Sequence, residues 1–361
     1  MSRLMCVWSQ KKSPNCTTRP RERSRKLPLR TPLAYLIGEI LSTTTFVTPV
    51  QATIEKVEER MRAQADDRHP DLRIALQNLL AAGGKRVRPT LVLLVGNMLG
   101  ADSERLITLA AAIEMLHTAT LVHDDLIDGS LMRRGNDTLN AKWTPAATIL
   151  TGDFVFARAA NLAAQTGSLT VMEEFAETLA IIVSGELTQM FDSRGLASRE
   201  NYYQRIYAKT ASLFELSTSG AAIISPVEPK TVETARVFGH QLGMAFQIVD
   251  DILDFTGEQA AIGKPVGSDL LQGLITLPAL YYIETHPDDE QVRALLGGEY
   301  HNEKRMKLLV EAIRNSDAIQ HSLNEAKGFA TRALQSLNGQ PKGEERQALE
   351  DLTKYITDRD I

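Results

Sequence analysis

The sequence predicts an all-α fold, a single large bundle of about ten or more helices. Three observations carry this. After Pro49 apolar residues recur at three- and four-residue spacing through nearly every segment, the period of a helix with one buried face. Runs with strand period are missing, because the β-branched clusters are short and no hairpin signal joins them. Glycine and proline gather at a few points and mark no long internal linker, so the 361 residues read as one helical domain over 49–361 behind a basic extension, residues 1–48.

The extension is distinct in charge. Residues 1–30 carry nine Lys/Arg against the single acid Glu22, a charge of +8, and the chain total of −5 then leaves −13 for the rest. An acidic body excludes nucleic acid as the expected ligand. The Ser, Thr, Pro and Arg content of the head fits an unstructured arm, a transit peptide or a membrane-surface segment, and a mis-set translation start would account for it equally. The apolar stretch Leu33 to Leu41 is too short to span a bilayer, being interrupted by Gly38 and Glu39, and no transmembrane segment is expected elsewhere. A cytoplasmic protein is expected, with peripheral membrane contact and organellar targeting left open. Cys6 and Cys16 are the only cysteines, so the body has neither a disulfide framework nor a cysteine metal site, and a reducing compartment is expected.

Taken in order, Gln51 to Ala65 reads as an amphipathic helix, with Ile54, Val57, Glu58 and Met61 at helical spacing. Leu72 to Ala82 is a second, closing on Gly83-Gly84. Further helices are predicted at roughly 90–99, 103–128, 145–165, 170–192, 199–219, 231–255 and 274–285. The Gly- and Asp-rich stretch from Gly263 to Asp269 reads as a loop, and helices resume at about 302–315, 317–338 and 344–357. No internal repeat shows beyond one acidic motif.

That motif occurs twice: Asp124-Asp125 with Asp128, and 126 positions later Asp250-Asp251 with Asp254. Carboxylates at i, i+1 and i+4 place the first and last on one helical face with the middle one beside it. Apolar runs precede both clusters, Ala119 to Val122 and Met244 to Val249, so these acids lack the polar surroundings of a solvated face. Ionised groups taken out of water cost several kcal/mol each unless a counter-charge is supplied. Hard oxygen ligands suit Mg²⁺, which keeps its waters and shares itself with phosphates. The pair therefore reads as a metal clamp for a diphosphate, set on two helices that must face each other in a bundle core. Basic residues lie in separate pieces: Lys85, Arg86 and Arg88 after Gly83-Gly84, then Arg133-Arg134, Lys209-Thr210 and Lys264, with His117 seven residues before Asp124.

The ordered segments GGKRVRP, HTATLVHDDLID followed by RRG, KT, FQIVDDILDF and GKPVGSDL resemble the trans-polyprenyl diphosphate synthase family, from about residue 50 onward. The resemblance implies the isoprenoid synthase type of bundle around a central active-site cavity. It implies that Asp124, Asp125, Asp128, Asp250, Asp251 and Asp254 bind three Mg²⁺ and, through them, an allylic diphosphate such as farnesyl diphosphate. Lys85, Arg88, His117 and Arg134 match residues that hold isopentenyl diphosphate; Arg133, Lys209 and Lys264 match those on the allylic diphosphate. Thr210 and Gln247 match groups whose oxygens face the developing carbocation. A homodimer is implied as well. The sequence departs from the family at Leu271 and Leu274, where a basic residue is common.

The implied reaction is Mg²⁺-dependent head-to-tail condensation of isopentenyl diphosphate onto the allylic partner. Small Ala119, five residues before Asp124, and Leu116 below it leave a groove where short-chain members place an aromatic ring, favouring a long octaprenyl- or solanesyl-like product. A packing role for Ala119 and Ala112 is the competing explanation, and a geranylgeranyl or farnesyl diphosphate synthase the alternative product class. A terpene cyclase would replace the second Asp cluster with an Asn/Ser/Glu-type motif. A non-catalytic subunit of a heteromeric synthase would be expected to have lost aspartates or basic residues that this chain keeps.

Overall fold

Segments of helical period become helices for a reason local to each. The computed structural model describes residues 46–65, 70–81, 85–133, 135–191, 198–257 and 266–358. The extension up to residue 45, with its apolar stretch and both cysteines, lies outside the described residues, as do Arg134 and Lys264. The chain forms α1 (Gln51–Arg62), α2 (Pro70–Ala81), α3 (Val87–Met98) and α4 (Ser103–Ile127). There follow a short α5 (Leu139–Lys142), α6 (Pro145–Gln165), α7 (Leu169–Phe191), α8 (Arg199–Ile206), α9 (Ser212–Ile223) and α10 (Pro229–Thr256). The last are α11 (Ser268–Leu271), α12 (Leu277–Thr285), α13 (Glu290–Leu296), α14 (Glu303–Arg314), α15 (Ala318–Ser336) and α16 (Glu344–Thr357). Side-chain caps start several of them: Asp102 accepts from the Arg105 amide before α4, Thr144 from Ala147 before α6, and Ser198 from Asn201 before α8.

Three departures from the sequence prediction bear on the site. The helix expected over 199–219 is broken, because Tyr207–Ala211 form a π-helical turn between α8 and α9. Next, a two-stranded antiparallel ribbon, β1 (Met132–Arg133) with β2 (Asn136–Asp137), comes after the first acidic cluster. Such short strands leave no period-2 pattern to read, and Gly135 takes a φ of 77° that other residues resist. Finally, Ser268–Leu271 at the end of the expected loop form a short helix.

Two apolar clusters make the core. One gathers α3, α4, α6, α7 and α9 around Leu91, Leu94, Leu109, Ile113, Val155, Phe175 and Phe214. The other gathers α10, α12, α13, α14 and α15 around Ile248, Ile252, Phe255, Leu280, Leu295, Leu309 and Ile313. α4 is long and apolar enough to cross a membrane by length and composition, but 78% of its apolar window is buried inside the protein, as befits a core helix. It packs most extensively on α6, while α10 lies along α15 and α9. Both acidic clusters thus sit near the C-terminal ends of the two longest helices among the described residues.

Candidate active site

The first cluster closes α4. Asp124 is half-buried, Asp125 is buried and Asp128, the C-cap, is exposed. Burial pushes the Asp124 carboxyl up to about 6; the Lys209 charge opposes this, while Glu186 and Asp128 reinforce it. Asp125 accepts a hydrogen bond of 2.9 Å from Arg133 Nε, so the ribbon folds its first strand back onto the helix that precedes it. His123 is wedged beside them, its Nε2 3.2 Å from the Ile149 carbonyl oxygen and its ring 5.3 Å from that of Phe156. Gly152 on α6 makes the space, since a Cβ there would collide with the imidazole.

The second cluster, on α10, divides differently. Asp250 is exposed, whereas Asp251 is 4% exposed. Tyr202 donates to Asp251 Oδ2 at 2.7 Å and Gln247 Nε2 donates to Oδ1 at 2.8 Å. Burial nevertheless pushes this carboxyl up to about 8, reinforced by the charges of Asp269 and Asp250 and only partly offset by the two donors. Asp254 accepts from the Ser268 hydroxyl at 2.8 Å and from the Ser268 and Asp269 amides at 3.2 and 3.3 Å, and so caps α11.

The π turn joins the two clusters. Lys209 Nζ lies 3.0 Å from Glu186 Oε1 of α7. Burial would lower the Lys209 ammonium, but the charges of Glu186 and Asp124 outweigh it and hold the group above the ordinary lysine range. The next residue, Thr210, donates to Gln247 Oε1 at 2.5 Å, which starts a chain from Thr210 through Gln247 to Asp251 and Tyr202. Lys209 therefore answers to the first cluster and Thr210 to the second. Glu186 was missed in the sequence; the only signal was a carboxylate within the otherwise apolar and small run of α7 from Ala180 to Leu187.

Of the basic residues, Lys85, Arg86 and Arg88 lie at the start of α3. Lys85 Nζ donates to the Tyr355 hydroxyl at 2.6 Å, and the Arg88 guanidinium lies over the Phe214 ring at 5.0 Å. Between them Arg86 adopts φ 46°, the left-handed region that costs a non-glycine residue free energy. Ion pairs of 3.0 Å to Glu58 and 2.8 Å to Glu114 hold it there. His117 is half-buried two turns before Asp124, and its carbonyl accepts from Thr120 Oγ1 at 2.7 Å. Ala119 and Leu116 are fully buried in the first core cluster.

The donor set fits a hard divalent cation. Carboxylate oxygens dominate it, and the carboxyls of Asp124 and Asp251 are raised by burial among other acids, as expected where added positive charge would relieve them. Among the described residues no three acidic, histidine or cysteine side chains converge on one ion, so bound cations would draw further ligands from water or from a phosphate.

Comparison with known proteins agrees with this chemistry. The family profile described as Polyprenyl synthetase matches residues 69–313. The chain is 39% identical over 307 residues to heptaprenyl diphosphate synthase component 2 of Geobacillus stearothermophilus, covering 84% of this chain and 95% of the relative. It is 35% identical over 331 residues to the chloroplastic solanesyl diphosphate synthase 2 of Arabidopsis thaliana, covering 88% of this chain and 78% of that protein. Among solved structures, the polyprenyl synthase of Caulobacter crescentus CB15, complexed with calcium and isoprenyl diphosphate, superposes with a TM-score of 0.82. The two are 33% identical, over 88% of this chain and 98% of the other.

Proposed function

Since the chain belongs to the polyprenyl synthetase family, we propose that it makes long all-trans polyprenyl diphosphates by adding isopentenyl diphosphate repeatedly to an allylic diphosphate. One observation carries the proposal: a single π turn ties Lys209 to the first aspartate cluster and Thr210, through Gln247, to the second. Two carboxylate clusters with an ammonium beside the first suit a ligand that is itself anionic and arrives with divalent cations. Asp124, Asp125, Asp128, Asp250, Asp251 and Asp254 are the expected ligands, with Arg133, Tyr202, Gln247 and Ser268 orienting three of them.

Divalent cations, Mg²⁺ in the cell, supply positive charge against the leaving diphosphate when bound. The Lys209 ammonium, with Arg133 and Lys264, neutralises the same group as its allylic carbon–oxygen bond breaks and the electron pair departs on oxygen. Lys85, Arg88, His117 and Arg134 hold isopentenyl diphosphate so that its double bond lies against the allylic carbon, a positioning contribution. A new carbon–carbon bond forms from the double-bond electrons. The resulting tertiary cation loses a proton to the released diphosphate, restoring an alkene. Thr210 Oγ1 and Gln247 Oε1 present lone pairs toward the cationic carbon. The tail then grows down α4 past Ala119 and Leu116.

A homodimer is the assembly we propose. The name of the Geobacillus relative, a component 2, supports a second reading in which this chain works with a separate partner subunit. Asp124→Ala or Asp250→Ala tests the site: each should lower kcat by orders of magnitude while the helical circular dichroism and melting temperature stay near wild type. Near-wild-type turnover in either variant ends the clamp account.

A further inference from the structure

On the side of the π turn opposite the aspartates lies a second polar cluster to which the reaction gives no task. Tyr207, the first residue of the turn, packs its ring 5.3 Å from that of His240, and its phenol is pushed up by burial and by the charge of Glu215. Glu215 Oε1 accepts from Arg236 Nη1 at 3.2 Å, and Oε2 lies 3.2 Å from His240 Nδ1. Arg236 reaches on to Glu174 of α7, which accepts from the Ser219 hydroxyl at 2.7 Å. The cluster thus cross-links α7, the π turn, α9 and α10.

Steric fit confines the same turn. Gly185 of α7 approaches so closely that a Cβ there would lie 2.5 Å from Ala208 Cβ. A Cβ on Gly243 of α10 would lie 2.6 Å from Ala211 Cα. The turn is held in a slot between two glycines. Tyr207 and Lys209 are two residues apart on a helical path, so their side chains leave on opposite sides. A π turn carries one residue more than the α-helix around it, and without restraint it can relax into α geometry and rotate the helix beyond it.

We propose that Glu215, with Tyr207, Arg236 and His240, forms a positioning clamp that locks the π turn and so sets where Lys209 and Thr210 meet the allylic diphosphate. None of the four is assigned a contact with substrate. Glu215 is the hub, since it holds both Arg236 and His240 of α10, and His240 carries the Tyr207 ring of the turn. The proposal rests on the role given to Lys209 above, and its test separates the two. Tyr207→Phe removes one hydroxyl and keeps the ring on His240; Glu215→Gln keeps the shape and removes the charge.

Each variant should raise the KM for farnesyl diphosphate about tenfold, equivalent to about 1.4 kcal/mol, with the KM for isopentenyl diphosphate within about twofold of wild type. Hydrogen exchange of the amides of residues 207–212 should quicken, while the melting temperature of Tyr207→Phe stays near wild type. Equal rises in both KM values with a fallen melting temperature would mean ordinary packing and overturn the clamp. So would unchanged exchange across the turn. Lys209→Ala runs in parallel. If it leaves the farnesyl diphosphate KM unchanged, the assignment of Lys209 fails, and the exchange measurement still decides the clamp.

Discussion

Asp251→Asn should make the metal-free protein more stable at alkaline pH while impairing its work with divalent cations. A carboxyl whose folded pKa lies above its unfolded value holds its proton more tightly in the folded state, so the folded form is favoured below the unfolded pKa and loses that advantage as pH climbs. For Asp251 the window runs from the ordinary 3.8 to about 8, set first by burial and then by the Asp269 charge. Four pH steps at 1.36 kcal/mol each give an upper limit of about 5 kcal/mol. Relaxation and water entry at this site reduce what a melt records, and a gain of about 2 kcal/mol at pH 8 is expected. For a chain of this size that is a rise in Tm of about 3 °C. Asparagine can still accept from Gln247 and pair with the Tyr202 hydroxyl, so the geometry survives. The assay is thermal unfolding in chelator from about pH 4 to pH 8, monitored by helical circular dichroism. Wild type should lose stability relative to the variant across that range, the two curves meeting at the acid end, and added Mg²⁺ should favour wild type. A variant less stable than wild type at pH 8 in chelator, or parallel curves throughout, would refute the reasoning that this acid is kept under electrostatic strain for a cation.

The layout implies two further outcomes. Ala119→Phe places a ring about 7–8 Å along α4 from Asp124, in a position with no exposed surface; it should shorten the product to farnesyl or geranylgeranyl size, as read by mass of the dephosphorylated prenols, at an overpacking cost of about 1–3 kcal/mol in melting. An unchanged product length would return Ala119 to a packing role. Arg88→Ala and His117→Ala should each raise the KM for isopentenyl diphosphate more than that for farnesyl diphosphate, and the opposite ratio in steady-state kinetics would mean that the two subsites are exchanged.

The helices are legible because their apolar spacing is local: α4, whose run from Leu106 to Leu116 is apolar but for Thr108 and Glu114, lies within a residue or two of the limits its spacing predicts. The break between α8 and α9 is not, since Tyr-Ala-Lys-Thr-Ala contains neither glycine nor proline and the π turn depends on Gly185 and Gly243 from other helices. The two acidic clusters are visible as a repeat, but not the division within them. Asp251 is drawn inward by Tyr202, 49 residues earlier, and Asp254 is taken by the cap of α11, and neither partner is marked by spacing. Arg86 reads as one more phosphate-binding cation in GGKRVRP; its left-handed backbone and its pairing with Glu58 and Glu114 make it a support for Lys85 and Arg88 instead. Glu186 escapes notice because a lone acid on a helix is ordinarily solvent-facing.

The most direct test is to incubate the purified chain alone with Mg²⁺, farnesyl diphosphate and isopentenyl diphosphate and weigh the dephosphorylated products. A ladder of all-trans prenols ending well beyond geranylgeraniol, absent in chelator, is the predicted result. No condensation product from a folded, Mg²⁺-supplied chain would contradict the account and turn attention to a partner subunit.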